Sequence, residues 1–283
     1  MNKLPEIGVL SNLKPDASNL RAIADFGLPC AQVCCWNKDL CKLDLARKVK
    51  ADCAALGVRL TAFWSGYTGP AVWNFKRGPV TLGLVPTTYR NMRIQQLKNW
   101  ADFAAEAGAP AIITHFGFLP ENMTDPEFEP VAVAIDEVAS YCKRLGLGFW
   151  FETGQETPVT LLRFIEEVGL DNLGINLDPA NLLMYGKGNP IDALHVFGKW
   201  VRSIHAKDGC PPTTGTELGP EVKVGTGFVR YPEFLPKLLD CGFTGDLTIE
   251  REISGEQQNK DIRDTIAYLQ GLLDAYVQKP AEA

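Results

Sequence analysis

Four short apolar runs in this chain each deliver a side chain able to ligate a metal. Gly148-Phe149-Trp150-Phe151 leads to Glu152, and Leu173-Gly174-Ile175-Asn176-Leu177 leads to Asp178. Val201-Arg202-Ser203-Ile204 leads to His205, and Asp246-Leu247-Thr248-Ile249 leads to Glu250. Charged or imidazole groups at the ends of buried strands are costly to desolvate unless something compensates them. One divalent cation, held by three carboxylates and one imidazole, would compensate all four. Oxygen-rich ligation with a single nitrogen suits Mn²⁺ first, with Mg²⁺, Co²⁺ or Zn²⁺ as alternatives. Taken singly, each residue has a plainer reading. Asp178-Pro179 resembles a turn or helix cap, His205 a hydrogen-bonded structural histidine, and Glu250-Arg251 a solvated pair. Their joint placement on four successive strands argues for a shared ion. Glu152 and Glu250 come from strands that are not neighbours. Each can give one oxygen to the ion and keep the other for proton transfer, as an acid/base pair.

The rest of the chain reads as the scaffold that brings these groups together. Short strand-like runs alternate with longer helix-like segments. Strands are expected at 7–10, 31–35, 59–63 and 111–114, followed by the four runs above. Helices are expected at 17–26, 39–56, 87–107, 131–145, 158–168, 190–200, 232–241 and 257–277. The segment 87–107 has Ile94, Leu97, Ala101 and Ala104 at helical spacing. Gly57 and Gly108 stand where helices commonly stop. Eight strand–helix units in parallel alternation, with no linker or low-complexity run, predict one (β/α)₈ TIM barrel, an α/β fold in a single domain spanning 1–283. In such a barrel the C-terminal strand ends share one face, where the chemistry sits. His115, Trp36, Trp64 and Phe116 lie at or just past strand ends and are candidates for substrate contact, the aromatics by stacking. Lys207 is a candidate for a substrate oxygen or phosphate, with a rim salt bridge to Asp208 as the alternative. The glycine- and proline-rich stretch 65–85 reads as a lid, with Phe75, Lys76 and Arg77 at its centre.

Composition narrows the partners. The formal net charge is −6, which disfavours nucleic acid and anionic membrane surfaces. No apolar run approaches the roughly 20 residues needed to span a bilayer. The start, Met1-Asn2-Lys3-Leu4-Pro5-Glu6, lacks the apolar stretch of a secretory signal, so a soluble cytoplasmic protein is expected. The eight cysteines contain no Cys-x-x-Cys pair. Buried thiols suit them better than a zinc or redox site at Cys30, Cys34, Cys35 and Cys41.

The ordered series Phe151-Glu152, Leu177-Asp178-Pro179-Ala180-Asn181, His205-Ala206-Lys207-Asp208, Gly225-Thr226-Gly227 and Ile249-Glu250 resembles the xylose-isomerase-like TIM barrels. It is closest in style to the sugar phosphate isomerase/epimerase family, which includes ketose 3-epimerases, inosose dehydratases and hydroxypyruvate isomerases. The resemblance implies that Glu152, Asp178, His205 and Glu250 hold one divalent ion and that the two glutamates are the acid/base pair. It implies isomerisation or epimerisation of a small sugar or keto-sugar. The alternative is a dehydratase or lyase acting on an inosose or 3-keto-glycoside. Two positions depart from the epimerase pattern. Asn181 stands where a histidine is usual, placing an amide toward the sugar, and the stretch 209–224 has Lys223 but no arginine. A DNA-repair endonuclease of the same barrel lineage would need more histidines than His115, His195 and His205. Barrels of this family commonly pair, so a homo-oligomer is a further expectation.

Overall fold

A computed structural model describes residues 4–278. Eight parallel strands close into a barrel: β1 (Ile7–Asn12), β2 (Cys30–Cys35), β3 (Arg59–Ser65), β4 (Ala111–Thr114), β5 (Gly148–Glu152), β6 (Leu173–Leu177), β7 (Val201–Ala206) and, last in the chain, β10 (Leu247–Ile249). The strands run around the barrel in chain order, and β10 closes it by pairing with β1 from Ile7–Leu247 to Val9–Ile249. Two further short strands, β8 (Asp208–Gly209) and β9 (Glu221–Val222), form an antiparallel hairpin between β7 and the next helix. The helices are α1 (Asn19–Ala24), α2 (Leu43–Leu56), α3 (Thr87–Ala107), α4 (Phe128–Arg144), α5 (Pro158–Val168), α6 (Pro179–Met184), α7 (Pro190–Phe197), α8 (Tyr231–Asp240) and α9 (Glu256–Val277).

The expected elements recur with local changes. The segment 87–107 is helical throughout, and α2 and α3 end at Gly57 and Gly108 in the left-handed conformation. The expected helix 39–56 begins only at Leu43, because Lys42 is extended (φ −129°, ψ 131°). The expected helix 17–26 is shorter at both ends, since Ala17 adopts φ 58° and cannot open a right-handed turn. Helix α6 and the β8–β9 hairpin were not anticipated.

Strand alternation divides the barrel's side chains into two sets. Outward residues pack on the helices: Phe63 of β3 meets Trp100 and Phe103 of α3 at ring distances of 5.1 Å. Each such fully buried large apolar side chain contributes about 1.5–3 kcal/mol. Inward residues grow polar toward the mouth. Gln32, Asn176, Ser203, Thr248 and His205 are all buried there. A buried amide must find partners. Gln32 does so by donating to Ser203 Oγ at 2.9 Å and Asn176 Oδ1 at 3.4 Å.

Candidate metal centre and substrate cavity

Each of the four ligand candidates sits where a strand surrenders its ladder. Glu152 is the last residue of β5, and His205 is next to last in β7. Glu250 follows β10 and keeps one ladder bond, its N–H donating to Ala206 O at 3.2 Å. Asp178 follows β6, where Pro179 opens α6. The cap reading of Asp178 holds as well: its Oδ1 accepts the Asn181 N–H at 2.9 Å. The other oxygen, Oδ2, is buried with no hydrogen-bond partner.

One donor atom from each of the four lies within 4.8 Å of the others. His205 Nδ1 faces Glu152 Oε1 at 2.9 Å and Glu250 Oε2 at 3.0 Å. Its other nitrogen, Nε2, meets Gln32 Oε1 at 2.8 Å. With Nε2–H donating to Gln32, Nδ1 faces the carboxylates: the protonated ring donates to them there, and the neutral ring would offer an ion its lone pair. The three carboxylates and the imidazole fit a divalent ion by donor chemistry and by the orphaned Asp178 oxygen. The protonation pattern also shows that this spot demands positive charge. Burial pushes the Asp178 carboxyl up to about 8 despite Lys207. His205 is held well above its ordinary value, since Glu152 and Glu250 outweigh its burial. Burial opposes ionisation of Glu250, yet Lys207 and His205 keep its carboxyl far below the usual range.

Lys207 is the residue whose surroundings differ most from the sequence reading. The expected rim pair with Asp208 does not form. Lys207 is only 2% exposed; its ammonium lies 2.6 Å from Glu252, 3.3 Å from Asn181 Oδ1, and 3.5 Å from both Asp178 and Glu250. Asp208 turns the other way. Its carboxylate accepts the backbone N–H groups of Gly209, Gly225, Gly227 and Val229 at 2.9–3.1 Å. A Cβ at Gly227 would lie 2.3 Å from Asp208 Oδ1, so the Gly225-Thr226-Gly227 motif is the wrapping of a loop around one carboxylate. Lys223 pairs with Asp264 on α9 at 3.1 Å.

Beside the four ligands lies a cavity of about 240 Å³. That is below the roughly 300–1,000 Å³ of drug-sized sites. Trp36, Trp64, Trp73, His115 and Tyr185 line it with aromatic rings, and Glu152, Asn181, Lys207, Glu250 and Glu252 line it with polar groups. His115 is edged by Trp64 and Trp73 at 5.7 and 5.0 Å, with Nε2 3.8 Å from Glu152, and burial lowers its pKa toward the neutral imidazole. Trp64 Nε1–H donates to Glu152 Oε2, orienting that oxygen while its second lone pair stays open. Phe116 does not line the cavity: it is buried in the core, stacked on Phe151 at 3.9 Å. A larger groove, about 990 Å³, lies on the outer wall near Cys41, Gln95 and Asn99, and no ligand candidate lines it.

The stretch 65–85 forms the roof, and it is anchored. The buried Arg93 guanidinium donates to the carbonyls of Thr68, Pro70, Thr81 and Gly83 at 2.6–3.2 Å, between the rings of Tyr67 and Tyr89. At its tip, Phe75 N–H donates to Thr216 O at 3.1 Å, joining the roof to the β8–β9 hairpin loop. Phe75 packs on Tyr185 at 6.2 Å, while Lys76 and Arg77 are exposed. Sequence reading missed Gln32, Trp73 and Tyr185. Only Gln32 carried a signal, as an amide two residues before Cys34 on the inward face of an apolar strand. Among the described residues no cysteine is disulfide-bonded, and none joins the four-ligand group.

A sequence profile of xylose isomerase-like TIM barrels matches residues 20–272. A crystal structure of a xylose isomerase domain protein from Planctomyces limnophilus is 35% identical, with TM-score 0.92, covering 98% of this chain and 100% of that one. A D-tagatose 3-epimerase-like protein superposes with TM-score 0.73 at 18% identity, over 95% of this chain and 99% of its own. A Mycobacterium smegmatis barrel in complex with magnesium gives 0.68 at 16% identity, over 96% and 97%. At those identities the last two speak for fold alone. An uncharacterized protein of Methanocaldococcus jannaschii is 25% identical over 191 residues, which is 62% of this chain and 60% of that protein. No described helix is long and apolar enough to cross a membrane. The closed eight-stranded barrel, the profile match across most of its length and the 35% identical structure together place this chain in the xylose isomerase-like TIM barrel family.

Proposed function

We propose that this protein is a divalent-metal-dependent isomerase or epimerase of a small sugar or keto-sugar, with Glu152 and Glu250 as the acid/base pair. The observation that carries the reading is the approach of both carboxylates to one point, 2.9 and 3.0 Å from His205 Nδ1, from strands separated around the barrel by β6 and β7. Glu152, Asp178, His205 and Glu250 would hold the ion, Mn²⁺ first. A divalent ion there would supply fixed positive charge against which an enediolate develops. One glutamate takes the proton from the carbon beside the carbonyl, and the other returns a proton from its own side. Asn181 and Lys207 offer contacts for substrate oxygens. The tryptophan wall, Trp36, Trp64 and Trp73, together with His115, gives a ring a face to lie on and keeps water away from the reacting carbon.

The test is a screen of neutral ketoses, inososes and 3-keto-glycosides with Mn²⁺-supplemented protein in D₂O, read by NMR. Deuterium should enter at a carbon beside the carbonyl, and Glu152→Gln and Glu250→Gln should each slow that entry by at least about 10²-fold. Release of water or of an aglycone would redirect the assignment to elimination. Exchange that persists in both variants would remove the two-glutamate scheme.

A further inference from the structure

The turn between β5 and α5 carries a polar cluster that the metal-centred scheme leaves unused. Gln155 and Glu156 are buried, 1% and 3% exposed, and Tyr185 is 4% exposed. Both polar atoms of the Gln155 amide, both Glu156 carboxyl oxygens and the Tyr185 hydroxyl lack hydrogen-bond partners. Gln155 faces the Tyr185 hydroxyl, and Glu156 lies beside the N–H groups of its own turn, yet none of these approaches completes a bond. Unpaired buried polar atoms destabilise a folded protein unless water or a ligand meets them. Here several stand together, beside a cavity.

Their placement ties them to that cavity. Tyr185 lines it, as does Asn181. The turn runs close by: a Cβ at Gly154 would lie 3.3 Å from the Tyr185 ring and 3.5 Å from Asn181 Cβ. Phe75 and Phe118 pack edge-on against Tyr185 at 6.2 and 6.0 Å and fix the ring. Burial raises both the Tyr185 phenol and the Glu156 carboxyl, the latter to about 8, so the cluster offers uncharged donors and acceptors. Such groups match hydroxyls and repel neither charge sign.

We propose that Tyr185 and Gln155, backed by Glu156, form a hydroxyl-recognition subsite that holds the part of a neutral sugar remote from the metal ligands. This rests on the sugar-processing reading above. Tyr185 touches the sugar, Gln155 pairs with its hydroxyl or with a water between them, and Glu156 completes the network behind.

The experiment uses Mn²⁺-loaded full-length protein and reads binding by quenching of tryptophan fluorescence, since Trp36, Trp64 and Trp73 line the cavity. The probes are D-tagatose, D-fructose and a 3-keto-glucoside, together with monodeoxy derivatives of whichever binds. Tyr185→Phe and Gln155→Met should each weaken the parent sugar about tenfold, raising KM with little change in kcat. One monodeoxy sugar should bind wild type about tenfold more weakly than its parent, and should bind Tyr185→Phe as well as it binds wild type. Unchanged affinities in both variants, or equal weakening of every sugar, would overturn the subsite while leaving the metal centre intact. If none of the probes binds the metal-loaded wild type, the proposed function fails and takes the subsite with it.

Discussion

Replacing Glu156 with glutamine should make the protein's stability less sensitive to alkali. Burial raises the Glu156 carboxyl from its ordinary 4.5 to about 8, against weaker opposition from nearby backbone N–H groups and Lys187. Between those two values the folded chain keeps a proton that the unfolded chain has released. The unfolded state therefore binds fewer protons, and stability falls as pH rises. The contribution is complete below 4.5 and is lost as pH climbs through about 8. At about 1.36 kcal/mol per pH unit, that interval sets a ceiling of about 5 kcal/mol. For a chain of this size about 2 °C of Tm accompanies each kcal/mol, so the ceiling corresponds to about 10 °C. Entry of water at the ionised carboxylate will reduce the measured figure. Glu156→Gln keeps the shape and cannot ionise. Scanning calorimetry of both proteins from pH 5 to 9, with chelator present, isolates the effect, because the metal ligands titrate alike in the two and cancel in the difference. The Tm of the variant minus that of wild type should grow from pH 5 to about 8 and level off above it. A difference that stays flat across the range would show that Glu156 carries no raised pKa in the folded protein.

Gln32→Leu should lower Mn²⁺ affinity 10–100-fold by titration calorimetry, because His205 Nε2 loses the acceptor that orients the ring; unaltered affinity would refute that role. Saturating Mn²⁺ at a hundred times its Kd should stabilise wild type by about 2.7 kcal/mol, and Asp178→Asn should abolish the accompanying rise in Tm. Asp208→Asn replaces one acceptor oxygen with an amide N–H group facing the N–H groups of Gly225 and Gly227. At about 1.5–3 kcal/mol for each charged hydrogen bond, a marked drop in Tm and early proteolysis within 210–228 are expected. Arg93→Met strips the donor from four roof carbonyls and should raise the proteolysis rate across 66–85, while Mn²⁺ affinity holds.

The barrel and its four ligand candidates were legible because each buried strand leaves a short apolar run, and a charged residue closing such a run has little freedom about where it points. The 87–107 helix was legible for the same reason, its period being set by the surface it covers. What escaped was decided by contacts distant in sequence. Lys207, read as a substrate contact, had a rim pair with its neighbour Asp208 as the alternative, although alternation sends successive residues to opposite sides. Lys207 turned inward to Glu250 and Glu252, and Asp208 outward to a loop some 20 residues on. Phe116 sits past a strand end like Trp64, yet its ring fell on the core side with Phe151. Trp73 reaches the cavity only because Arg93, on a later helix, gathers the loop beneath it, and no local pattern encodes that.

The two anchors at the mouth divide the protein's labour. Arg93 and Asp208 hold the two long loops from outside the four-ligand cluster, and a Phe75–Thr216 backbone hydrogen bond joins the loops. Trp73 and Phe75 therefore hang from the loop that Arg93 holds and Leu218 from the loop that Asp208 holds, and Trp73 reaches the ion-facing groups by way of His115. Variation in this ceiling changes which guest molecule fits, while Glu152, Asp178, His205 and Glu250 keep their own strand-end supports, which gives evolution or a protein engineer a selector above a reactive floor.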